Sequence, residues 1–364
     1  MPNLKKEQPK SVEIAQPTDS FKNARRLIHF LSRHRKNIPN ILVMVHDFPD
    51  PDAIASAYTL QYIAEKKFGI ESRIVFGGVI GRTENRAMVD ILKIRLHKIR
   101  PVDFKKYANI VLVDTQPGFG NNSFPQNGKA TIVIDQHEPL SEKVQAKLSI
   151  IDTGCGATCV ILTQALLLLN IEIPKRIATA LAYGILSDTM NLYRADRSDV
   201  IQTYLDILHY SDLRALAKIQ NPERSRSFFS TLARSIQGAM FCRGLIVSHL
   251  KNVVNPDLVS LVADFLQAYR GIKWVFCTGR YKGTLYISFR TTNLNVDAGE
   301  ILRDIFIRRG KAGGSGTMAG GRFEVGTDVS ESVWEEVEVS FVERLRRRIR
   351  IPARADFYFP FRNR

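Results

Sequence analysis

The chain has 364 residues, 45% of them hydrophobic and 24% charged, which excludes a generally disordered protein and predicts about two domains. Lys and Arg number 52 against 36 Asp and Glu, so the formal net charge is +16. This charge favours a polyanionic partner: nucleic acid, nucleotides, polyphosphate or an anionic membrane surface.

The N-terminal segment and one uncharged stretch decide between a membrane and a soluble partner. Residues 1–20 are polar, lack the apolar core of a signal peptide, and are predicted to be a disordered lead-in. Residues 153–171 carry no charge but contain several polar side chains, so they predict a buried helix rather than a membrane span. We therefore expect a cytoplasmic protein that has a soluble partner and does not act on a membrane.

Residues 21–197 alternate between helix and strand patterns. Helices are predicted over 21–35, 52–67, 157–169 and 175–187, and apolar strands over 40–45, 72–76, 110–113 and 131–134. This alternation is typical of a parallel α/β sheet. The four cysteines, Cys155, Cys159, Cys242 and Cys277, are too few for a disulfide scaffold and lack zinc-site spacing, so we expect reduced, buried thiols.

The pattern changes after residue 197. Helices over 198–219 and 223–236 have no strand between them, which predicts a helical connector over 198–237. Strands over 245–247, 274–278 and 284–290, with helices over 256–268 and 297–308, predict a smaller α/β domain over 238–340. The cleft between the two α/β domains is the expected ligand site.

The C-terminal part of the chain combines a glycine-rich segment, a helix over 331–350 and a basic, aromatic tail. Residues 311–321 read as a loop, either a plain flexible one or one that approaches an anion; they lack the Lys-Ser/Thr of a P-loop. The tail, 341–364, carries clustered arginines and aromatics, so it either contacts nucleic acid or packs on its own or a neighbouring subunit, which leaves a homodimer open.

Acidic residues follow several of the apolar runs. His46, Asp50 and Asp52 come after the first strand, Asp114 after the strand 110–113, and Asp188 after a further apolar run. In a parallel sheet these positions share the carboxyl edge, where carboxylates would repel one another without a cation. Each acid alone could be a helix N-cap. Together they predict a site for Mn²⁺ or Mg²⁺, and two such ions about 3.5–4 Å apart can activate water for attack on phosphorus.

These residues resemble the motifs of the DHH phosphoesterases. HDFPDPDAI at 46–54 resembles the first motif, Asp114 in VLVDT the second, Asp135-Gln136-His137 the D-H-H signature, and Asp188 in YGILSDTMNLYR the fourth. GGSGTMAGG and YISFR at 286–290 are similar to the glycine-rich loop and adjacent strand of the DHH-associated C-terminal domain.

The resemblance implies a two-domain fold with a two-manganese site. His46, Asp50 and Asp114 would hold one ion, and Asp52, Asp114 and Asp188 the other, with Mg²⁺ as an alternative metal. Metal-activated hydroxide would attack phosphorus, with Asp114 and His137 as the catalytic residues. Substrate would be bound by residues of the second domain, which are Arg290, Gly313, Gly314, Ser315, Gly316, Thr317, Gly320 and Gly321.

Two departures from the family pattern bear on this expectation. Gln136 stands where the family has a metal-binding histidine, so it predicts a weaker second metal site. The glycine-rich segment has no histidine. The expected function is hydrolysis of short oligonucleotides, cyclic dinucleotides or a nucleotide 3′-phosphate such as pAp. The alternatives are a hydrolase of inorganic polyphosphate or pyrophosphate, and a nucleotide-binding protein without catalysis.

Overall fold

A computed structural model describes residues 21–141, 144–306 and 310–362, so the predicted lead-in over 1–20 lies outside the described residues. The chain forms two compact units, Met1–Pro222 and Glu223–Arg364. The boundary between them falls inside the segment predicted as a connector.

The first unit is built on a six-stranded parallel sheet, which confirms the predicted α/β class. Its strands are β1 (Asn40–Met44), β2 (Glu71–Phe76), β3 (His97–Lys98), β4 (Ile110–Val113), β5 (Ala130–Asp135) and β6 (Ala146–Ile151). They lie in the order β3-β2-β1-β4-β5-β6, with every pair parallel. The strand order reverses between β1 and β4, and the crevice at the carboxyl ends of two such strands is where open α/β sheets bind ligands.

The described residues of the first unit form eight helices besides this sheet. They are α1 (Lys22–His34), α2 (Pro51–Phe68), α3 (Thr83–Leu92), α4 (Asp103–Lys106), α5 (Thr158–Leu168), α6 (Lys175–Asp188), α7 (Ser198–Leu208) and α8 (Leu213–Gln220), with a 3-10 turn at Arg35–Asn37. The prediction of a single helix over 198–219 is wrong, because this segment forms the two helices α7 and α8. The helical conformation is interrupted before Asp212. The Asp212 carboxylate accepts the backbone N–H groups of Arg214 and Ala215 and so caps α8.

Alternate residues of β1 enter two different cores. Ile41 and Val43 pack with the large core that includes α1, α2, α5 and α6, whereas Leu42 and Met44 pack with a smaller core on the other face of the sheet. Burial on both faces explains why β1 is a continuous apolar run. All four cysteines are free and buried, as predicted. In the described part of the chain, no helix has both the length and the hydrophobicity to cross a bilayer, and α5, within 153–171, has only 11 residues.

The second unit is built on a mixed six-stranded sheet. Its strands are β7 (Met240–Cys242), β8 (Leu245–Asn252), β9 (Trp274–Tyr281), β10 (Thr284–Thr291), β11 (Gly310–Ser315) and β12 (Met318–Glu324), in the order β11-β12-β10-β9-β8-β7. Within this second sheet, β8–β9 is the only parallel pair among the described strands. Its helices are α9 (Arg226–Gln237), α10 (Asp257–Gln267), α11 (Ala298–Ile305) and α12 (Glu331–Arg348).

The glycine-rich segment over 311–321 is a β-hairpin, not the predicted loop. β11 and β12 pair antiparallel, and β12 also pairs with β10. Gly314 has a φ of 146°, and a Cβ there would lie 2.4 Å from the Met318 carbonyl oxygen, so the close approach of the two strands requires glycine. The turn is held from outside, since the Ala298 N–H donates to the Gly316 carbonyl at 2.7 Å.

The described part of the C-terminal tail packs on its own unit. Tyr358 forms an antiparallel bridge with Phe241, and the Phe361 ring contacts Tyr269. Arg346, in α12, is buried and donates to the carbonyls of Pro352 and Ala355. Phe357 and Phe361 therefore pack against the cores of the second unit, whereas Tyr358 and Phe359 remain exposed.

Candidate metal centre

The carboxyl ends of β1 and β4 bring three predicted ligands together. His46 follows β1, Asp114 follows β4, and Asp50 begins α2 as its N-cap, accepting the Ala53 N–H at 3.0 Å. His46 Nε2 lies 3.8 Å from Asp50 Oδ1 and 3.7 Å from Asp114 Oδ2. These three potential ligand atoms converge but are too far apart to hydrogen-bond to one another. Such spacing is typical of ligand atoms that surround a shared cation. One imidazole with carboxylates suits Mn²⁺, so the residues present fit a divalent cation.

Asp114 is held in an unusual backbone conformation. Its φ is +57°, in the left-handed region that residues other than glycine rarely adopt. Its N–H donates to the Ile134 carbonyl at 2.9 Å, and its Oδ1 accepts the Thr158 hydroxyl at 2.8 Å. Such strain concentrates at functional sites, because only surrounding structure can maintain it.

Asp52 is fully buried and makes contacts that its sequence position does not suggest. Its two carboxylate oxygens accept the backbone N–H groups of Thr158 and Cys159, each at 2.7 Å. These are the first residues of α5, so Asp52 caps a helix that lies far along the chain. The Ser56 hydroxyl also donates to Asp52, at 3.2 Å.

Gln136 lies between two of the predicted ligands. Its side-chain Nε2 donates to Asp188 Oδ2 and lies 3.4 Å from Asp52 Oδ2. Asp188 is the last residue of α6, and three residues soon after it, Met190, Asn191 and Leu192, all have positive φ. The chain therefore makes a tight turn directly after Asp188.

His137 and Asp135 form a hydrogen-bonded pair beside Asp114. Its Nδ1 lies 2.8 Å from Asp135 Oδ1, and Asp135 Oδ2 accepts the Gln116 amide at 2.7 Å. Asp135, Asp114 and His137 also have converging donor atoms. Because Asp135 is already occupied by these hydrogen bonds, its contacts favour orientation of His137 over metal binding. The His137 side chain remains 52% exposed.

The carboxylates shift one another's pKa. Burial and the charges of Asp188 and Asp50 raise the pKa of Asp52 to about 8, against the opposing hydrogen bonds from Cys159. Burial and the charges of Asp52 and Asp50 also hold the pKa of Asp114 well above its usual value. Burial and the Asp50 charge raise the pKa of Asp188 to about 6. A cation would relieve this repulsion.

Asp50 and His137 shift toward their charged forms. Burial acts to raise the pKa of Asp50, but the neighbouring His46 ring, the Ala53 amide and His137 hold it below the usual value. The hydrogen bond to Asp135 raises the pKa of His137 to about 9 despite burial, so this imidazole is protonated at neutral pH.

The residues predicted to bind substrate in the second unit divide into two groups. Arg290 is buried, with its Nε 2.7 Å from Asp264 Oδ1 and its Nη1 bonded to the carbonyls of Phe289 and Ala319. Gly313, Gly314, Gly320 and Gly321 lie in the hairpin strands, and Gly316 and Thr317 form its turn. Ser315 ends β11. Substrate binding by these residues stays a prediction.

Several site residues have no sequence signal of their own. Thr158, Cys159 and Gln116 reach the acidic cluster only through the folding of distant segments. Asp135 was visible as part of the D-Q-H motif, but its contact with His137 was not. The position of Gln116, two residues beyond Asp114, is the only hint that the sequence offers for its role.

The chain is similar in sequence to one family model and to several known proteins. Residues 40–185 match the model of the DHH family N-terminal domain. A protein of Methanocaldococcus jannaschii described as uncharacterized is 33% identical over 311 residues, which cover 85% of this chain and 63% of that protein. A probable manganese-dependent inorganic pyrophosphatase of Streptococcus pyogenes is 27% identical over 159 residues, which cover 42% of this chain and 49% of that protein. The chain thus spans less than two thirds of the length of these two relatives.

A solved structure shares the fold. The exopolyphosphatase-related protein from Bacteroides fragilis has a TM-score of 0.70 at 14% identity, covering 90% of this chain and 97% of that chain. The family match begins at the first residue of β1 and includes His46, Asp50, Asp52, Asp114 and the D-Q-H motif. With these motif residues gathered at the carboxyl edge of the parallel sheet, residues 40–185 are a DHH family N-terminal domain.

Proposed function

We propose that this chain is a divalent-cation-dependent hydrolase of phosphorus–oxygen bonds, with Mn²⁺ as its cofactor. Its proposed substrates are short oligonucleotides, cyclic dinucleotides or a nucleotide 3′-phosphate such as pAp. The observation that carries the proposal is the convergence of His46, Asp50 and Asp114 at the point where the strand order reverses. The net charge of +16 supports an anionic substrate.

His46, Asp50 and Asp114 would hold the cation. A bound divalent cation would lower the pKa of water and neutralise charge on a phosphoryl group. Asp50 is positioned by the Ala53 N–H, and Asp114 by the Thr158 hydroxyl. Both carboxylates are therefore oriented by groups within their own unit, which reduces the reorganisation needed when the cation binds.

His137 is proposed as the proton donor to the leaving oxygen. Its Nδ1 is engaged by Asp135, and its side chain is half-exposed, so Nε2 can face a substrate. The raised pKa of about 9 keeps the ring protonated at neutral pH, which a general acid requires. Asp135 acts through His137, and Gln116 in turn acts through Asp135.

Inorganic pyrophosphate or polyphosphate is the second candidate substrate. The similarity to a probable inorganic pyrophosphatase, 27% over 159 residues, favours it. So does the engagement of Arg290 with Asp264, because this guanidinium would need to leave its partner in order to bind a nucleotide. The two candidates share the chemistry at phosphorus and differ in their products.

The test is a substrate panel with the full chain. A dinucleotide, pAp, a cyclic dinucleotide, pyrophosphate and polyphosphate are incubated with Mn²⁺, Mg²⁺ or EDTA, and products are followed by chromatography and orthophosphate release. We expect turnover of at least one class with Mn²⁺. Asp114→Asn should abolish it, whereas Asp90→Asn, at an exposed position on α3, should not. Nucleotide binding without turnover at saturating Mn²⁺ would contradict the enzymatic proposal and favour a binding protein.

A further inference from the structure

The side-chain amide of Gln136 fills the space between two carboxylates. Its Nε2 lies 3.4 Å from Asp52 Oδ2 and is hydrogen-bonded to Asp188 Oδ2. Both neighbours present acceptor oxygens, so the NH₂ end of the amide, and not its oxygen, faces them. Its two N–H groups thus supply partial positive charge where Asp52 and Asp188 meet.

Asp52 has little remaining capacity to bind a cation. A carboxylate offers about four lone-pair positions, two on each oxygen. Oδ1 accepts the Cys159 N–H and the Ser56 hydroxyl, and Oδ2 accepts the Thr158 N–H and lies within reach of the Gln136 amide. Four donors therefore surround the two oxygens of Asp52.

The other half of the acidic cluster, formed by His46, Asp50 and Asp114, has room for a cation. His46 Nε2 lies 3.8 Å from Asp50 Oδ1 and 3.7 Å from Asp114 Oδ2, and among the described hydrogen bonds no other side chain donates into the space between these three atoms. Asp50 retains its Oδ2, since its described hydrogen bond uses Oδ1. One position in the cluster is thus open to a cation, and the other is closed by a side chain.

We infer that Gln136 takes the place of a second cation between Asp52 and Asp188, so that the wild-type chain binds one divalent ion, at His46, Asp50 and Asp114. This inference rests on the proposed function, because it assumes that the open position binds metal. Gln136 is then a residue that determines metal stoichiometry. Histidine at this position would offer a nitrogen lone pair in place of two N–H donors.

The test measures bound Mn²⁺ directly. Metal-free wild type, Gln136→His and Gln145→His are saturated with Mn²⁺, freed of excess by gel filtration, and analysed for metal per chain and by electron paramagnetic resonance. Gln145→His is the matched control, because Gln145 is exposed and its carbonyl accepts the N–H of Ala130, at the end of β5 opposite Asp135. We expect one ion and an uncoupled spectrum for wild type and Gln145→His. Gln136→His should bind two ions with a magnetically coupled spectrum.

Gln136→Glu covers the case in which Gln136→His does not fold. It keeps the side-chain shape but replaces the two donors with a carboxylate, so it should bind two ions and melt at a lower temperature than wild type in EDTA. Two ions in the wild type would overturn the inference while leaving the proposed function intact. A folded Gln136→His or Gln136→Glu that still binds one ion would do the same. No bound Mn²⁺ in the wild type would overturn both the inference and the proposed metal dependence.

Discussion

Asp52 caps the first turn of α5 through Thr158, with 2.7 Å between the carboxylate and the Thr158 nitrogen, although the two residues are 106 positions apart. The same carboxylate accepts the Cys159 N–H, also at 2.7 Å. Asp52 therefore joins α2 to α5 and satisfies two of the N–H groups that a helix start leaves without intrahelical partners. Asp52 resembles a metal ligand in the sequence, but in the fold its carboxylate stabilises the start of a helix.

Asp52→Ala should destabilise the first unit. It leaves two buried N–H groups of α5 without acceptors, which costs about 1–3 kcal/mol for each group that remains unsatisfied. Both tryptophans of the chain, Trp274 and Trp334, lie in the second unit. In EDTA, we therefore expect the unfolding transition followed by circular dichroism to shift to lower denaturant, while the transition followed by tryptophan fluorescence stays in place.

Asp90→Ala is the control for this change, since Asp90 is exposed on α3 and its loss should alter stability by less than about 0.5 kcal/mol. Equal stability of Asp52→Ala and wild type in EDTA would contradict the capping role and leave Asp52 only as a metal ligand.

Thr158→Val should weaken metal binding with little effect on stability. The substitution keeps the side-chain shape and removes the 2.8 Å hydrogen bond to Asp114 Oδ1. Groups that orient a metal ligand typically contribute 10–100-fold to affinity. We expect Mn²⁺ affinity, measured by calorimetry, to fall within about that range. Thr163→Val is the matched control on the same helix, because its hydroxyl donates only to the Cys159 carbonyl among the described contacts. Equal losses in the two variants would count against a specific role of Thr158.

Removal of metal should make the first unit less stable as pH rises. The pKa of Asp188 is raised from 3.8 to about 6 and that of Asp52 to about 8, so the folded metal-free chain binds more protons than the unfolded chain. The stability from these protons is present below pH 4 and is lost as pH rises through 6 and 8. We expect the melting temperature in EDTA, followed by circular dichroism, to fall between pH 5 and pH 8. Saturating Mn²⁺ should raise it most at pH 8.

Asp188→Asn tests the cause of this pH dependence. It removes one titrating carboxyl, so its melting temperature in EDTA should fall less between pH 5 and pH 7 than that of the wild type. An identical pH dependence in the variant would show that Asp188 is not among the groups responsible.

Much of the fold and the site follows from local sequence pattern. β1, β4 and β5 were predictable because each is an uninterrupted apolar run, and the acids after them had to meet at one sheet edge. β3 and β6, which the pattern did not indicate, are the two edge strands of the sheet and carry exposed polar residues. The hairpin over 311–321 was read as a loop, because its glycines lack the side chains that mark a strand.

Side-chain pairings across the fold were beyond the reach of the sequence. The contacts of Asp52 with α5 and of Gln136 with Asp188 depend on how α2, α5 and α6 pack together. The predicted weakening of a second metal site at Gln136 could be stated from residue type alone. Only the positions of both carboxylates could show which end of the Gln136 amide, the NH₂ group or the oxygen, faces them.

Asp135→Asn should shift the pH dependence of catalysis. The Asp135 carboxylate lies 2.8 Å from His137 Nδ1 and raises the pKa of that ring from 6.5 to about 9. If His137 donates the proton, wild-type kcat should fall above about pH 9, and the fall should move toward pH 6.5 in the variant. His137→Ala should lack this limb altogether and lower kcat by about 10²–10⁴-fold. A limb at the same pH in wild type and Asp135→Asn would exclude this pair as the titrating group.

Arg290→Met should destabilise the second unit and so separate a structural role from substrate binding. The Arg290 guanidinium is buried, pairs with Asp264 at 2.7 Å, and donates to the carbonyls of Phe289 and Ala319, which links β10 to β12. Removing it leaves two buried carbonyls and part of a carboxylate without their donor, at a cost of about 1–3 kcal/mol. The Trp274 ring stacks on Phe289, so tryptophan fluorescence should report an earlier unfolding of this unit.

Asp264→Asn keeps Arg290 in place but removes its charged partner. If Arg290 binds substrate, this second variant should lower KM, and an unchanged KM together with a destabilised Arg290→Met would assign Arg290 to the fold alone.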